Sequence, residues 1–153
     1  MKNLLQQHLI ESRPGAILQT LLKRQLLPQA LILTGPEGVG QAEAAEAFAM
    51  ACNCFETARR AEPKSLTLLS TLWGCGQCRS CLKIQSDSHP DILRIKPIGQ
   101  TLRIKQIRAM LDNVALKPYE ARRRFVLIAE ADRMTPVSYT HLTLPTNVQQ
   151  CRS

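Results

Sequence analysis

One stretch constrains this chain more than any other: a short apolar run that breaks into glycines and restarts as an alanine-rich segment. Residues 30–34 read Ala-Leu-Ile-Leu-Thr, followed by Gly35, Pro36, Glu37, Gly38, Val39, Gly40, Gln41 and Ala42. An apolar run of that length ended by Gly-Pro predicts a buried strand entering a turn. Residues 41–53 predict a helix, whose alanines and Phe48 allow close packing on a sheet. Strand, glycine loop and helix start together form the setting in which backbone N–H groups cradle phosphate oxygens. The residues that do the chemistry are missing. A working loop reads G-x-x-x-x-G-K-[ST], its lysine reaching the β- and γ-phosphates and its hydroxyl holding magnesium. Gln41 stands at the lysine position and Ala42 at the hydroxyl position.

The rest of the chain alternates in the same way. Residues 15–25 predict a helix with Ile17, Leu18, Leu21 and Leu22 on one apolar face. A strand is expected at 91–95. A further helix carries Ile104, Ile107, Leu111 and Val114 on one stripe, with Arg103, Lys105 and Arg108 off it. Lys117-Pro118-Tyr119 closes that helix, and residues 125–129 are a fully apolar strand. Strand, helix, strand, helix, strand points to a parallel α/β sheet. The last strand runs on as Phe-Val-Leu-Ile-Ala-Glu-Ala-Asp, which has the form of a Walker B strand of the D-E-A-D type. Its first acid, the usual magnesium partner, is replaced by Ala129, while Glu130 and Asp132 remain. Two motifs lose their charge- and metal-bearing residues together. The expectation is a loop kept for its shape, without ATP hydrolysis.

Cys75-Gly-Gln-Cys78-Arg-Ser-Cys81 places three thiols at two-residue spacing, and Cys52 and Cys54 lie upstream. A C-x2-C turn puts two thiolates on one ion, and structural zinc takes four such ligands in a tetrahedron. The ferredoxin spacing requires a fourth cysteine at position 85, where Gln85 stands, which argues against an iron–sulfur cluster. The residues alone leave Cys52, Cys54 and His89 open as the fourth ligand. Four protein ligands leave no place for a reacting water, so the site is expected to be structural.

Charge and composition narrow the class further. At 44% hydrophobic and 21% charged residues the chain reads as globular. The longest apolar stretch is far below the ~18 residues of a membrane span, and the N-terminus lacks a signal-peptide pattern. The expected location is the reducing cytoplasm, where clustered cysteines hold metal more often than they form disulfides. A net charge of +8 fits contact with nucleic acid and equally fits a solvated surface. From residue 137 the character changes, with no acidic residue and Arg152 the one fixed charge. Residues 137–146, VSYTHLTLPT, and the closing Cys151-Arg152-Ser153 read as translated transposase sequencing adapter. The expectation is a domain over 1–136 with a cysteine module at about 54–81, then a disordered, adapter-derived 137–153.

With these segments in hand a resemblance becomes specific. LPQALILTGPEGVG, CGQCRSC, SHPDILRI and KPYEARRRFVLIAEADRMT closely resemble the delta-prime subunits of the bacterial DNA polymerase III clamp loader, over roughly residues 4–135. The resemblance implies a truncated AAA+ P-loop NTPase-like parallel sheet with an inserted zinc module. It also selects the ligand set. In that family the first zinc cysteine lies fourteen residues after the last loop glycine, which implies Cys54 with Cys75, Cys78 and Cys81, and makes Cys52 a buried helix residue. The implied role is a non-catalytic subunit of the clamp-loader ring, acting with gamma/tau and delta to load the sliding clamp on primed DNA. The family's trans arginine, lid and collar lie beyond residue 136 and are assigned to no residue here. A gamma/tau-like ATPase is the nearest alternative, against which Gln41, Ala42 and Ala129 each stand. A zinc-dependent nucleic-acid-binding module is the other.

Overall fold

The computed structural model describes residues 12–36, 38–56 and 74–136. Residues 137–153, read above as adapter-derived, and Glu37 lie outside the described residues. The chain divides into two compact units, one of residues 1–92 with 118–125 and one of 93–117 with 126–153.

In the first unit, helix α1 spans Arg13–Arg24 and helix α2 spans Gln41–Asn53. α1 starts two residues before the expected Gly15, because Ser12 and Pro14 supply the start. Ser12 Oγ accepts the Gly15 N–H at 3.3 Å, Pro follows at the first turn, and Lys23 and Arg24 sit in the last turn against the helix dipole. Gln25 ends it at φ 54°, its N–H turned back to the Leu21 and Leu22 carbonyls. α2 begins at Gly40, φ 92°, a backbone conformation open chiefly to glycine. Leu18, Ala44 and Phe48 form one core cluster of this unit, with Leu21, Leu22, Leu27, Leu33, Cys52 and Phe125 packed against them. Phe48 meets Phe125 edge-on, ring centres 6.3 Å apart at 84°. Ile17, expected on the apolar face of α1, is 58% exposed. The face that is buried centres on Gly15 and Leu18, and Ile17 sits one helical step (~100°) to its side.

A third helix, α3, spans Arg79–Gln85, running out of the cysteine module where no helix was expected. Seven residues are too few for a helix to announce itself by periodicity, since such short helices depend on tertiary packing. α3 packs on α2.

Two strands were expected correctly and one was not. β1 is Ile92–Ile95 and β2 is Phe125–Ile128, paired with each other. The Phe125 N–H donates to the Asp91 carbonyl at 3.0 Å and the Ala129 N–H to the Ile95 carbonyl at 2.9 Å, the constant offset of a parallel pair. Residues 30–34 form no strand. A strand exists through its ladder, and among the described residues this run has no neighbour to bond. Leu33 still reaches the core, whereas Ile32 is 84% exposed.

In the second unit, helix α4 spans Ile104–Val114. Gln106 secures its first turn, accepting the Arg103 N–H through Oε1 at 3.1 Å and donating through Nε2 to the Lys96 carbonyl at 2.8 Å. Leu102, Ile107, Met110 and Met134 make this core, joined by Ile95, Leu111, Val126 and Ile128. Met110 takes the buried place expected of Val114, which is exposed at the far end of the helix. A short 3-10 turn, Ala131–Arg133, follows β2.

Candidate metal centre and nucleotide loop

Four cysteines converge where α2 ends and α3 begins. Cys54 is the residue that caps α2 in extended conformation, and Cys78 is the residue before α3, with Cys81 in its first turn. Cys75 lies between two glycines of positive φ, Gly74 at 63° and Gly76 at 67°. All four sulfurs lie within 4.8 Å of one another, close to the ~3.8 Å edge of a tetrahedron built on ~2.3 Å metal–sulfur bonds. Cys54 and Cys81 are buried, while Cys75 and Cys78 are partly exposed. The fit to a cation is local and specific. The Cys75 N–H donates to Cys54 Sγ at 3.3 Å and the Cys78 N–H to Cys75 Sγ at 3.2 Å, so two backbone donors point at sulfurs of the cluster. At Gly74 an added Cβ would lie 2.9 Å from Cys81 Sγ and 3.3 Å from the Met50 carbonyl. Only glycine lets the chain pass this close behind the cluster.

Without a cation the thiols conflict. Burial pushes the Cys81 thiol far above its ordinary value, reinforced by its bond to Cys78 and by the charge of Cys54. Cys78 moves the other way. Burial alone would raise it, but backbone bonds at Cys81 and Phe55 and contacts with Cys81 and Cys75 bring it below the ordinary thiol. A shared divalent cation resolves such a set, because it stabilises every thiolate at once.

The two other candidate ligands sit elsewhere. Cys52 faces the apolar core of the first unit, and burial pushes its thiol up to about 12 against the lowering effect of Arg123. His89 is buried with both nitrogens engaged by protein. Nδ1 accepts the Asp91 N–H at 3.2 Å, and Nε2 faces Ser80 Oγ at 3.4 Å and Glu120 at 3.9 Å. Burial holds the ring below its ordinary pKa despite the nearby Glu120 and Asp91 carboxylates.

In the glycine loop the decisive residue is Gln41. Its Nε2 donates to the Gly35 carbonyl at 2.8 Å and to the Pro36 carbonyl at 2.9 Å, tying the helix start back to the loop entrance. Gly38 takes φ 83° and Gly40 φ 92°, and the Ala44 N–H bonds the Gly40 carbonyl at 2.8 Å. Val39 is exposed, and Ala42 offers neither charge nor hydroxyl. In the second unit, Ala129 ends the β2 ladder as an apolar residue. Glu130, at φ 53°, is ion-paired to Arg133 at 2.8 Å, and Asp132 is exposed in the 3-10 turn.

Sequence reasoning assigned no role to Asp91, which is wholly buried. Its carboxylate accepts the N–H groups of Tyr119, Glu120 and Ala121, each at 2.8 Å, and the Arg124 guanidinium at 2.9 Å. Burial opposes its ionisation, but these four bonds outweigh burial and hold the carboxyl far below the usual range. Gly74 was also missed, although a glycine beside a C-x2-C pair is a signal for tight passage.

Comparison with known proteins agrees with this architecture. Residues 10–142 match the family described as DNA polymerase III, delta subunit. The chain is 28% identical over 126 residues to the DNA polymerase III subunit delta' of Bacillus subtilis, a span covering 82% of this chain and 34% of that protein. It is 29% identical over 121 residues to the DNA polymerase III subunit tau/gamma of Haemophilus influenzae, covering 79% of this chain and 16% of that one. The delta' of the same species is 36% identical over 62 residues, 40% of this chain and 19% of its own length. The chain thus spans about a third of the first of these relatives and less than a fifth of the other two. With the family match running through both compact units, the chain belongs to the DNA polymerase III delta subunit family.

Proposed function

We propose that this chain belongs to a delta-prime-type clamp-loader subunit, cytoplasmic and without ATPase activity of its own. The observation that carries the reading is Gln41. Where a hydrolysing loop carries a lysine, this one carries an amide bonded to the Gly35 and Pro36 carbonyls. A neutral amide offers no charge-assisted bond to a γ-phosphate, and Ala42 offers magnesium no oxygen. The loop then serves as a shaped connector of an AAA+ domain. The partners implied are gamma/tau and delta, and through them the sliding clamp and primed DNA.

Zinc is the metal this reading places on Cys54, Cys75, Cys78 and Cys81. An all-thiolate tetrahedral set suits that ion and supplies structure, with no open position for catalysis. The cluster draws Cys54 from the end of α2 and its other three ligands from the approach to α3 and its first turn, so it is built into its unit. That arrangement favours a clamp-loader role over a free-standing nucleic-acid module. The gamma/tau reading draws on a tau/gamma relative matched over 79% of this chain, and the loop chemistry argues against it.

Assembly tests the proposal. Mixed with gamma/tau and delta subunits, the full chain should enter a complex of defined mass, read by light scattering behind size exclusion. Failure to assemble, together with tight binding to DNA alone, would transfer the function to the nucleic-acid-module reading.

A further inference from the structure

The segment from Pro118 to Arg124 has no regular structure, yet side chains from three other places hold it. Asn53 holds one end through both atoms of its amide. Nδ2 donates to the Arg123 carbonyl and Oδ1 accepts the Arg123 N–H, each at 3.0 Å, the reciprocal pair that a neighbouring strand would supply. Lys83 holds the middle, its Nζ reaching the two Glu120 oxygens at 2.5 and 2.7 Å. Asp91 accepts three consecutive N–H groups of the turn, and its own carbonyl receives the Phe125 N–H.

Two of these three anchors are attached directly to the cysteine cluster. Asn53 immediately precedes Cys54 at the end of α2, and Lys83 lies two residues beyond Cys81 in α3. The segments that carry them approach each other through the sulfurs and through Gly74, whose missing Cβ makes room for Cys81 and the Met50 carbonyl. A tetrahedral ion fixes the relative placement of its ligands within tenths of an ångström. The positions of Asn53 and Lys83 follow from it.

We infer that metal bound by the four cysteines sets the spacing of Asn53 and Lys83, and through them seats the 118–124 turn and the register of Phe125 on Asp91. The cluster is then a remote clamp on the entry to β2, in addition to a local staple. Asp91 also reaches Arg124 and receives the Phe125 N–H, but the Arg123 backbone between those contacts is bonded by Asn53 and the Glu120 carboxylate by Lys83. This inference rests on the metal reading given under Proposed function.

Amide hydrogen exchange at Ala121 and Phe125 tests it, since both N–H groups donate to Asp91 and to neither metal-linked anchor. The full chain is loaded with cobalt(II), whose thiolate absorption bands report four-sulfur binding independently, and is then stripped. Stripping should speed exchange at both amides by about tenfold or more, while Ala115 in α4 stays unchanged. In Asn53→Ala/Lys83→Met, cobalt should bind with the same bands, yet both amides should exchange fast even when loaded. Three results would overturn the inference. One is cobalt bands with exchange indifferent to metal, and another is full protection in the loaded double variant. The third is absence of the bands, which would overturn the metal reading as well and is recognisable as such.

Discussion

Asp91 and Arg124 form a buried ion pair, Arg124 Nη2 lying 2.9 Å from Asp91 Oδ1, with the carboxylate wholly removed from solvent. The carboxylate also accepts three backbone N–H groups, so replacing it weakens several bonds at once. Asp91→Asn keeps the shape but turns an NH2 toward those donors. The substitution should destabilise the first unit by about 3–5 kcal/mol, the cost of breaking a buried pair, measured by urea unfolding at pH 7. The pH dependence has a definite sign. Asp91's pKa is lowered by folding, so its stabilisation is complete above the unfolded value near ~3.9 and fades as pH falls through the folded value. The advantage of wild type over Asp91→Asn should therefore be constant near neutrality and shrink in acid below about pH 4.

The cysteine assignment makes a paired prediction. Cys54→Ser, Cys75→Ser, Cys78→Ser and Cys81→Ser should each abolish stoichiometric zinc retention, because metal affinity here is also folding energy. Cys52→Ser should retain zinc, since its side chain faces the Leu18–Phe48 core and is absent from the cluster. Metal content by atomic emission after dialysis decides it. Equal zinc loss from Cys52→Ser and Cys54→Ser would contradict the ligand set.

Gly74→Ala probes the same site without removing a ligand. The new methyl would sit 2.9 Å from Cys81 Sγ on a backbone at φ 63°, which costs an L residue roughly 1–2 kcal/mol before any clash. Zinc affinity should drop by at least about tenfold, the factor that 1.4 kcal/mol represents. Gly38→Ala, also at positive φ but with open space around the added atom, should leave affinity unchanged. Competition with a chromophoric chelator measures both.

Gln41 should act on loop order and leave the core untouched. Gln41→Ala frees the Gly35 and Pro36 carbonyls, and the loss of two exposed bonds should cost no more than about 1–2 kcal/mol. Proteolysis at the loop should quicken without a change in zinc content. Gln41→Lys alone should not create magnesium-dependent nucleotide binding, because Ala42 still offers no oxygen ligand. Titration with a fluorescent ATP analogue, with and without magnesium, checks this.

How far these features could be read from residues depended on how local their causes are. α2 was legible to the residue, since Gly40 breaks the chain before it and Cys54 turns away after it. β1 and β2 were legible from apolar runs that do find each other. Residues 30–34 have the same composition but no ladder partner among the described residues, and composition does not reveal whether a neighbour exists. α3 was missed because seven residues carry too little period, and Ile17 and Val114 were misplaced because a stripe does not say where the core ends. The three cysteines of Cys75–Cys81 were plain from spacing. The choice of Cys54 over Cys52 rested on family resemblance, and the geometry now groups Cys54 with them. Asp91 was hidden for a different reason. Its partners lie 28 to 33 residues away in sequence, and a lone acid before a strand looks like any surface acid.

Whether this chain hydrolyses ATP separates a delta-prime-type subunit from a gamma/tau-like ATPase. Turnover of radiolabelled ATP by the purified chain, with magnesium and primed DNA present and a lysine-bearing gamma/tau subunit as positive control, is the direct measurement. The prediction is no phosphate release above the protein-free blank, because Gln41 and Ala42 supply neither the charge nor the magnesium ligand that the reaction needs. Turnover that rises with the concentration of this chain and is lost on Gln41→Ala would contradict it, and would make the chain a gamma/tau-like ATPase.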